Sequence, residues 1–336
     1  MKTQSAESAR IGGWESPEVE SIPPSLPGLG LRTILVPVDF SNVSAVLLRG
    51  MAWFAMRSGA DLHILHVVEP SGIFNKGRQS ETQIDSRTRA CAARLQLQQW
   101  VRRTLPGQVS IHTVVRVGWA ADEIVSQSQA LHADIVVMSA HVDRGAKNTL
   151  VRTTTERVVR HAFCPVLVIA KDKIDEFLRN LETFPPPSWK RVLLPVDISS
   201  RIPEAMAYAA AIAIANSARL HVLHVVTNDT STVKETTPRA GYRLTEWLRR
   251  ELGCPVEWEA TVWTDTPLLH AILAEAGRSK IDVIILPARD CAWSRRYRLW
   301  SVTDGILRHA PCPVLCVSEN AKSSARWARD LATVRI

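Results

Sequence analysis

The side chains that could do chemistry occur in matched pairs along this sequence. An aspartate and a serine stand two apart after an apolar run at Pro37-Val38-Asp39-Phe40-Ser41, and again at Pro195-Val196-Asp197-Ile198-Ser199. A carboxylate in that place forms a turn and favours the start of a following helix through the helix dipole. A hydroxyl followed three residues later by an acid occurs at Thr153-x-x-Glu156 and at Ser301-x-x-Asp304. Both are helix-start signatures, and the first is a full capping box. Histidines stand three apart at His63 and His66 and at His221 and His224. On a strand the two members of each pair point to opposite faces and cannot share a metal, so they read as structural. One loop combines charge with rings: Arg289, Arg295, Arg296 and Arg298 interleave with Trp293, Tyr297 and Trp300. Such a loop could stack on and neutralise an anionic or nucleobase-bearing ligand, RNA or DNA included. Its plainer reading is a solvated basic loop with Trp300 packed inward.

The elements that must position these residues also come twice. Arg160-His161-Ala162-Phe163-Cys164-Pro165-Val166-Leu167 returns as Arg308-His309-Ala310-Pro311-Cys312-Pro313-Val314-Leu315. Proline cannot continue a helix and extends the residue before it, so each copy reads as a last helix, a stop and a last strand. Between Arg32 and Ala170 short apolar runs alternate with helical segments: Thr33 to Asp39, a helix opened by Ser41, Asp61 to Val68, a helix from Glu81 to Arg103, Val109 to Val115, Ala120 to Ala130, Asp134 to Met138, Thr153 to His161 and Val166 to Ala170. Such alternation predicts a parallel sheet covered on both faces. The pattern restarts at Arg191, with Leu220-His221-Val222-Leu223-His224-Val225 matching Leu62 to Val67. The alanine-rich run Met206 to Ala215 reads as a buried helix, and the segment around Thr236 to Leu252 as a shortened copy of the long first-domain helix.

The boundaries follow: 1–30 a disordered N-terminal segment, 31–171 the first domain, 172–189 a linker holding a short charged helical piece and Pro185-Pro186-Pro187, 190–318 the second domain, and 319–336 a peripheral tail. At 336 residues the chain can bury two cores without disulfides. No run approaches the roughly 18–20 apolar residues of a membrane span. The six cysteines (Cys91, Cys164, Cys254, Cys291, Cys312, Cys316) form no Cys-x-x-Cys pair, and no secretory apolar region follows Met1. A reduced cytoplasm is the expected location. Cys164 and Cys312, at matching positions, read as small buried side chains, with redox sensing as the alternative. A formal charge of +8 fits weak attraction to polyanions and does not bear on the fold.

The strand-Pro-x-Asp-x-Ser openings, the Leu-His-x-Leu-His-Val second strands and the Cys-Pro-Val-Leu endings, in the same order twice, resemble the universal stress protein family in its tandem-domain form. The resemblance implies two Rossmann-like α/β domains, each a five-stranded parallel sheet in the order 3-2-1-4-5 flanked by helices. The topological switch then lies between strands 1 and 4, where such sheets bind ligands. ATP-binding members carry a Gly-x-x-Gly-x9-Gly-Ser/Thr loop after strand 4. Laid on that pattern without a gap, the glycine positions hold Ser139, Val142 and Arg152 before Thr153, and Pro287, Asp290 and Trp300 before Ser301. All six glycines are replaced. Valine resists positive φ, proline removes an amide donor, aspartate repels phosphate and tryptophan fills space. The resemblance places Asp39 and Asp197 where a nucleoside would be contacted, against their reading as turn carboxylates. Asp39, Thr153, Asp197 and Ser301 are therefore the candidate site residues, of a degenerate site. No catalytic triad, acid/base pair or metal cluster is evident, so the expected role is a non-enzymatic stress-response or regulatory protein with weak or absent ATP binding and no cofactor. An adenine-nucleotide-binding module and a nucleic-acid binder are the alternatives. The resemblance also implies antiparallel pairing of the two fifth strands into an intrachain pseudo-dimer, with further homo-oligomers open, an unknown protein partner and no membrane.

Overall fold

A computed structural model describes residues 8–12, 31–70, 83–105, 110–140, 153–182, 189–226, 237–252, 255–288, 300–319 and 321. The chain divides into two compact units, one built on residues 30–186 and the other on 187–319, which also takes the N-terminal strand.

That strand, β1 (Ser8–Gly12), lies in a segment the sequence reading leaves disordered. In the first unit, β2 (Thr33–Pro37) leads to α1 (Asn42–Ser58), β3 (Asp61–Val68), α2 (Gln83–Thr104), β4 (Ile111–Val117), α3 (Ala120–Ala130), β5 (Ile135–Ala140), α4 (Thr154–His161) and β6 (Val166–Ala170). All pairings are parallel, in the order β4-β3-β2-β5-β6, which is 3-2-1-4-5 within the unit. The central strands are covered on both faces: Ile34, Leu35 and Val36 are fully buried, as are Val136 and Val137. Helix α5 (Ile174–Glu182) occupies the segment assigned to the linker. Its Ile174 and Phe177 are buried, so this piece is amphipathic and docks on its own unit.

The second unit runs β7 (Arg191–Val196), α6 (Pro203–Asn216), β8 (Arg219–Val226), α7 (Thr237–Glu251), β9 (Trp258–Thr264), α8 (Leu268–Arg278), β10 (Val283–Pro287), α9 (Trp300–His309) and β11 (Val314–Val317). Its parallel order β9-β8-β7-β10-β11 repeats the first, and β1 joins the β9 edge antiparallel, with Arg10 opposite Thr261. Helix α6 is buried from Ala209 to Ala213. A helix this apolar must be covered on nearly every side, as its composition predicts.

Repeated polar contacts fasten the strand ends. Asp134 Oδ2 accepts the amides of Arg32 (2.8 Å) and Thr33 (2.9 Å), and Asp282 Oδ2 accepts those of Lys190 and Arg191 at 2.8 Å. At the other ends, His66 Nδ1 donates to the Val38 carbonyl at 2.9 Å and His224 Nδ1 to the Val196 carbonyl at 3.0 Å. These histidines hold backbone carbonyls at or just past the end of the first strand of each sheet, a structural role.

Candidate functional site

The carboxyl ends of β2 and β5, and of β7 and β10, flank the switch point of each sheet. After β2 the backbone turns through Phe40, whose φ of 62° is left-handed and costly for an aromatic residue. Phe40 is held there by its ring, 4.2 Å from that of His66 and 5.6 Å from that of Trp100 in an edge contact. Asp39 Oδ1 accepts the Ser41 amide (3.0 Å) and the Ser44 hydroxyl (2.6 Å), while Ser41 Oγ caps α1 by accepting the Ser44 amide at 3.1 Å. The carboxylate therefore organises the turn.

In the second unit, Asp197 Oδ1 accepts the amide and hydroxyl of Ser199 at 2.9 and 2.6 Å. The matching helix starts later, at Pro203, with no side-chain cap. Proline at a first helical position needs no amide partner and its φ is already helical, so this Asp-Ser pair closes a turn without opening the helix.

On the phosphate side, Thr153 is the N-cap of α4 in a complete capping box. Thr153 Oγ1 accepts the Glu156 amide and Glu156 Oε2 accepts the Thr153 amide, both at 3.2 Å. Both the hydroxyl and the amide that a phosphate would approach are thus engaged, and a carboxylate already sits on the helix start. Ser139, at the first glycine position, is the last residue but one of β5, with its carbonyl accepting the Thr155 hydroxyl at 3.2 Å. The second domain differs from its sequence signature. Helix α9 starts at Trp300, which places Ser301 inside the first turn, and Asp304 accepts Arg308 Nε at 2.7 and 2.8 Å. An arginine one turn along competes for the acid that a capping box would need. The positions Val142, Arg152 and Asp290, the Ser301 side chain and the arginine-aromatic loop from Arg289 to Leu299 lie outside the described residues.

The structure thus brings Asp39 together with Ser41 and Ser44, and Thr153 with Glu156. Phe40 and Trp100 were not singled out from sequence. A left-handed phenylalanine carries no local signature, and Trp100 reaches it from a distant helix. Cys164 and Cys312 are buried at their helix-to-strand junctions, and burial raises both thiols, Cys164 to about 12. Neither supplies a thiolate near neutral pH, which sets the redox alternative aside for them. Among the described residues no group of three or more His, Cys, Asp or Glu side chains is placed to hold a metal, and no helix is long and apolar enough to cross a membrane.

The universal stress protein family profile matches residues 30–170 and 188–318. Universal stress protein MJ0531 of Methanocaldococcus jannaschii is 28% identical over 142 residues, which is 42% of this chain and 84% of that protein. A universal stress protein of Archaeoglobus fulgidus superposes with a TM-score of 0.55 at 20% identity, covering 84% of this chain and 94% of that one. Protein PA1789 of Pseudomonas aeruginosa, described as functionally unknown, gives 0.50 at 17% identity over 91% and 98%. The last two likenesses bear on fold alone. With both repeats matched by the family profile and both sheets built in the same order, this chain belongs to the universal stress protein family in its tandem two-domain form.

Proposed function

We propose that this protein acts as a non-enzymatic regulatory member of its family, working in the cytoplasm, with ATP binding weak or absent at both switch points. The observation that carries the reading is the α4 start. The Thr153 hydroxyl and amide are both used by Glu156, whose carboxylate would oppose a phosphate at the place where a helix dipole would otherwise attract it. Replacement of all six loop glycines acts in the same direction.

The alternative, an adenine-nucleotide-binding module, is favoured by one observation: Asp39 is exposed beyond the carboxyl end of β2, beside the switch point. Millimolar MgATP distinguishes the two. A ligand raises the melting temperature only by binding the native state, which it stabilises by about 2.7 kcal/mol at a hundred times its dissociation constant. We expect no shift. A clear rise that disappears in Asp39→Ala would establish binding in the first domain, and Asp197→Ala puts the same question to the second.

For assembly we propose pairing of β6 with β11 within the chain. What supports it is composition and position: each is an apolar run, Val166 to Ala170 and Val314 to Val317, with a single neighbour in its own unit. An apolar edge invites association unless something covers it.

A further inference from the structure

A second cluster of charge lies at the opposite, amino-terminal end of the second domain's sheet, away from the switch point. A cleft of about 430 Å³ opens there, lined by Arg191, Arg219, His221 and Glu259 from the strands and by Arg278 at the end of α8. Register makes the row. Arg191 lies opposite Arg219, Leu193 opposite His221, and His221 opposite Glu259. Residues two apart on a strand share a face, so these four charged or titratable side chains stand on one side of the sheet.

Two guanidiniums on neighbouring strands repel unless each is neutralised. Arg219 pairs with Glu257. Arg278 pairs with Glu275 and lies over the Trp263 ring, 5.6 Å from its centre. Lys190 Nζ donates to the Asn216 carbonyl at 2.7 Å. Arg191 is served less well. Asp282 Oδ1 is 3.7 Å from its guanidinium, beyond hydrogen-bond length, and Asp282 Oδ2 is occupied by two backbone amides. The buried Nε of Arg191 has no hydrogen-bond partner among the described residues. In the first domain the positions matching Arg191 and Arg219 hold Thr33 and Asp61, so no arginine pair arises there. The pair is a property of this half alone, and both arginines line a cleft of ligand size.

We propose that this cleft binds a small phosphorylated metabolite bearing hydroxyl groups, with the phosphate on Arg191 and Arg219 and a hydroxyl donating to Glu259. A tetrahedral dianion has oxygens for two guanidiniums at once, whereas a carboxylate fills a single fork. Cationic side chains outnumber carboxylates in the lining: Lys190, Arg191, Arg219 and Arg278 against Glu257 and Glu259. Glu259 is mostly buried beside His221, with the two side chains 3.8 Å apart, so it presents a fixed acceptor to a sugar hydroxyl.

The test is calorimetric titration of the full chain at low salt with ribose 5-phosphate, inorganic phosphate and ribose. Ribose 5-phosphate should bind saturably and at least about tenfold tighter than phosphate, because it adds the Glu259 contact, and ribose should not bind. Arg191→Gln should weaken ribose 5-phosphate about tenfold or more. Arg191→Lys keeps the charge but loses the fork, and carries the same test should the Gln variant fail to fold by circular dichroism. Glu259→Gln should weaken ribose 5-phosphate and leave phosphate unchanged. Asp39→Ala and Asp197→Ala should change nothing. The proposal is overturned if no phosphate compound binds at millimolar concentration, if the Arg191 variants bind as the parent does, or if either aspartate variant abolishes binding, which would place the ligand at a switch point. Equal affinity for phosphate and its ribose ester would remove Glu259 from the site.

Discussion

At the scale of the residue, two side chains should respond to substitution in a known direction. Thr153→Ala removes one half of the capping box and should cost about 1 kcal/mol in chemical denaturation, with or without nucleotide. An unchanged stability would contradict the capping role. His63 offers a second measurement. Its ring stacks on that of His112, with centroids 4.6 Å apart, and its pKa is lowered from 6.5, first by burial and then by His112, against a smaller opposing pull from Asp61. The unfolded chain therefore binds this proton more readily than the folded one. The stability it protects is complete above pH 6.5 and is lost as the pH falls through the folded value. Unfolding at about pH 5 and about pH 7.5 should show a loss of stability in acid that shrinks in His63→Gln. Thr153 and its role were legible in sequence because a cap is local. Phe40 was not, since its left-handed backbone is stabilised by His66 and Trp100, which reach it only through the fold.

At the scale of the element, β1 shows where sequence reading stops. Ser8 to Gly12 is a short run with only Ala9 and Ile11 apolar, too little to mark a strand by itself, and its conformation follows from the β9 edge it pairs with. The two edges formed by third strands differ in how they are protected. In β4 of the first domain, His112, Thr113 and Arg116 are exposed, polar side chains that discourage pairing. In β9 the residues Ala260, Thr261 and Val262 are buried, and the N-terminal strand lies along them. Deleting residues 1–12 should therefore lower the melting temperature and promote concentration-dependent association, read by light scattering. Equal behaviour of the truncated and full chains would show that the β9 edge needs no cover. Elements whose signals are internal were legible, among them the alanine-rich α6, the Ser41 start of α1 and the Cys-Pro breaks before β6 and β11. The α9 start lies two residues before the one that a Ser301 cap would set, and Asp304 there pairs with Arg308.

At the scale of the whole molecule, the tandem repeat doubles every edge, and the fifth strands pose the problem most sharply. Val166 to Ala170 and Val314 to Val317 are buried at every position, yet each finds only one partner strand within its own unit. A strand with such composition and an open edge is a template for another chain, and a repeat can answer that by supplying the second edge itself. Joining the two copies through one polypeptide also makes the encounter intramolecular, at an effective concentration of the order of millimolar, well above that of a second molecule in dilute solution. The proposed pairing would thus favour a chain closed on itself over an open series of molecules. A lysine on either edge, as in Val168→Lys or Val317→Lys, adds a charge that must be desolvated if the strands meet. Each should loosen the two halves, and limited proteolysis should then cut faster in the Pro185-Pro186-Pro187 region. Unchanged cleavage with unchanged stability in both variants would show that these strands do not pair, leaving the tandem arrangement held by the linker alone.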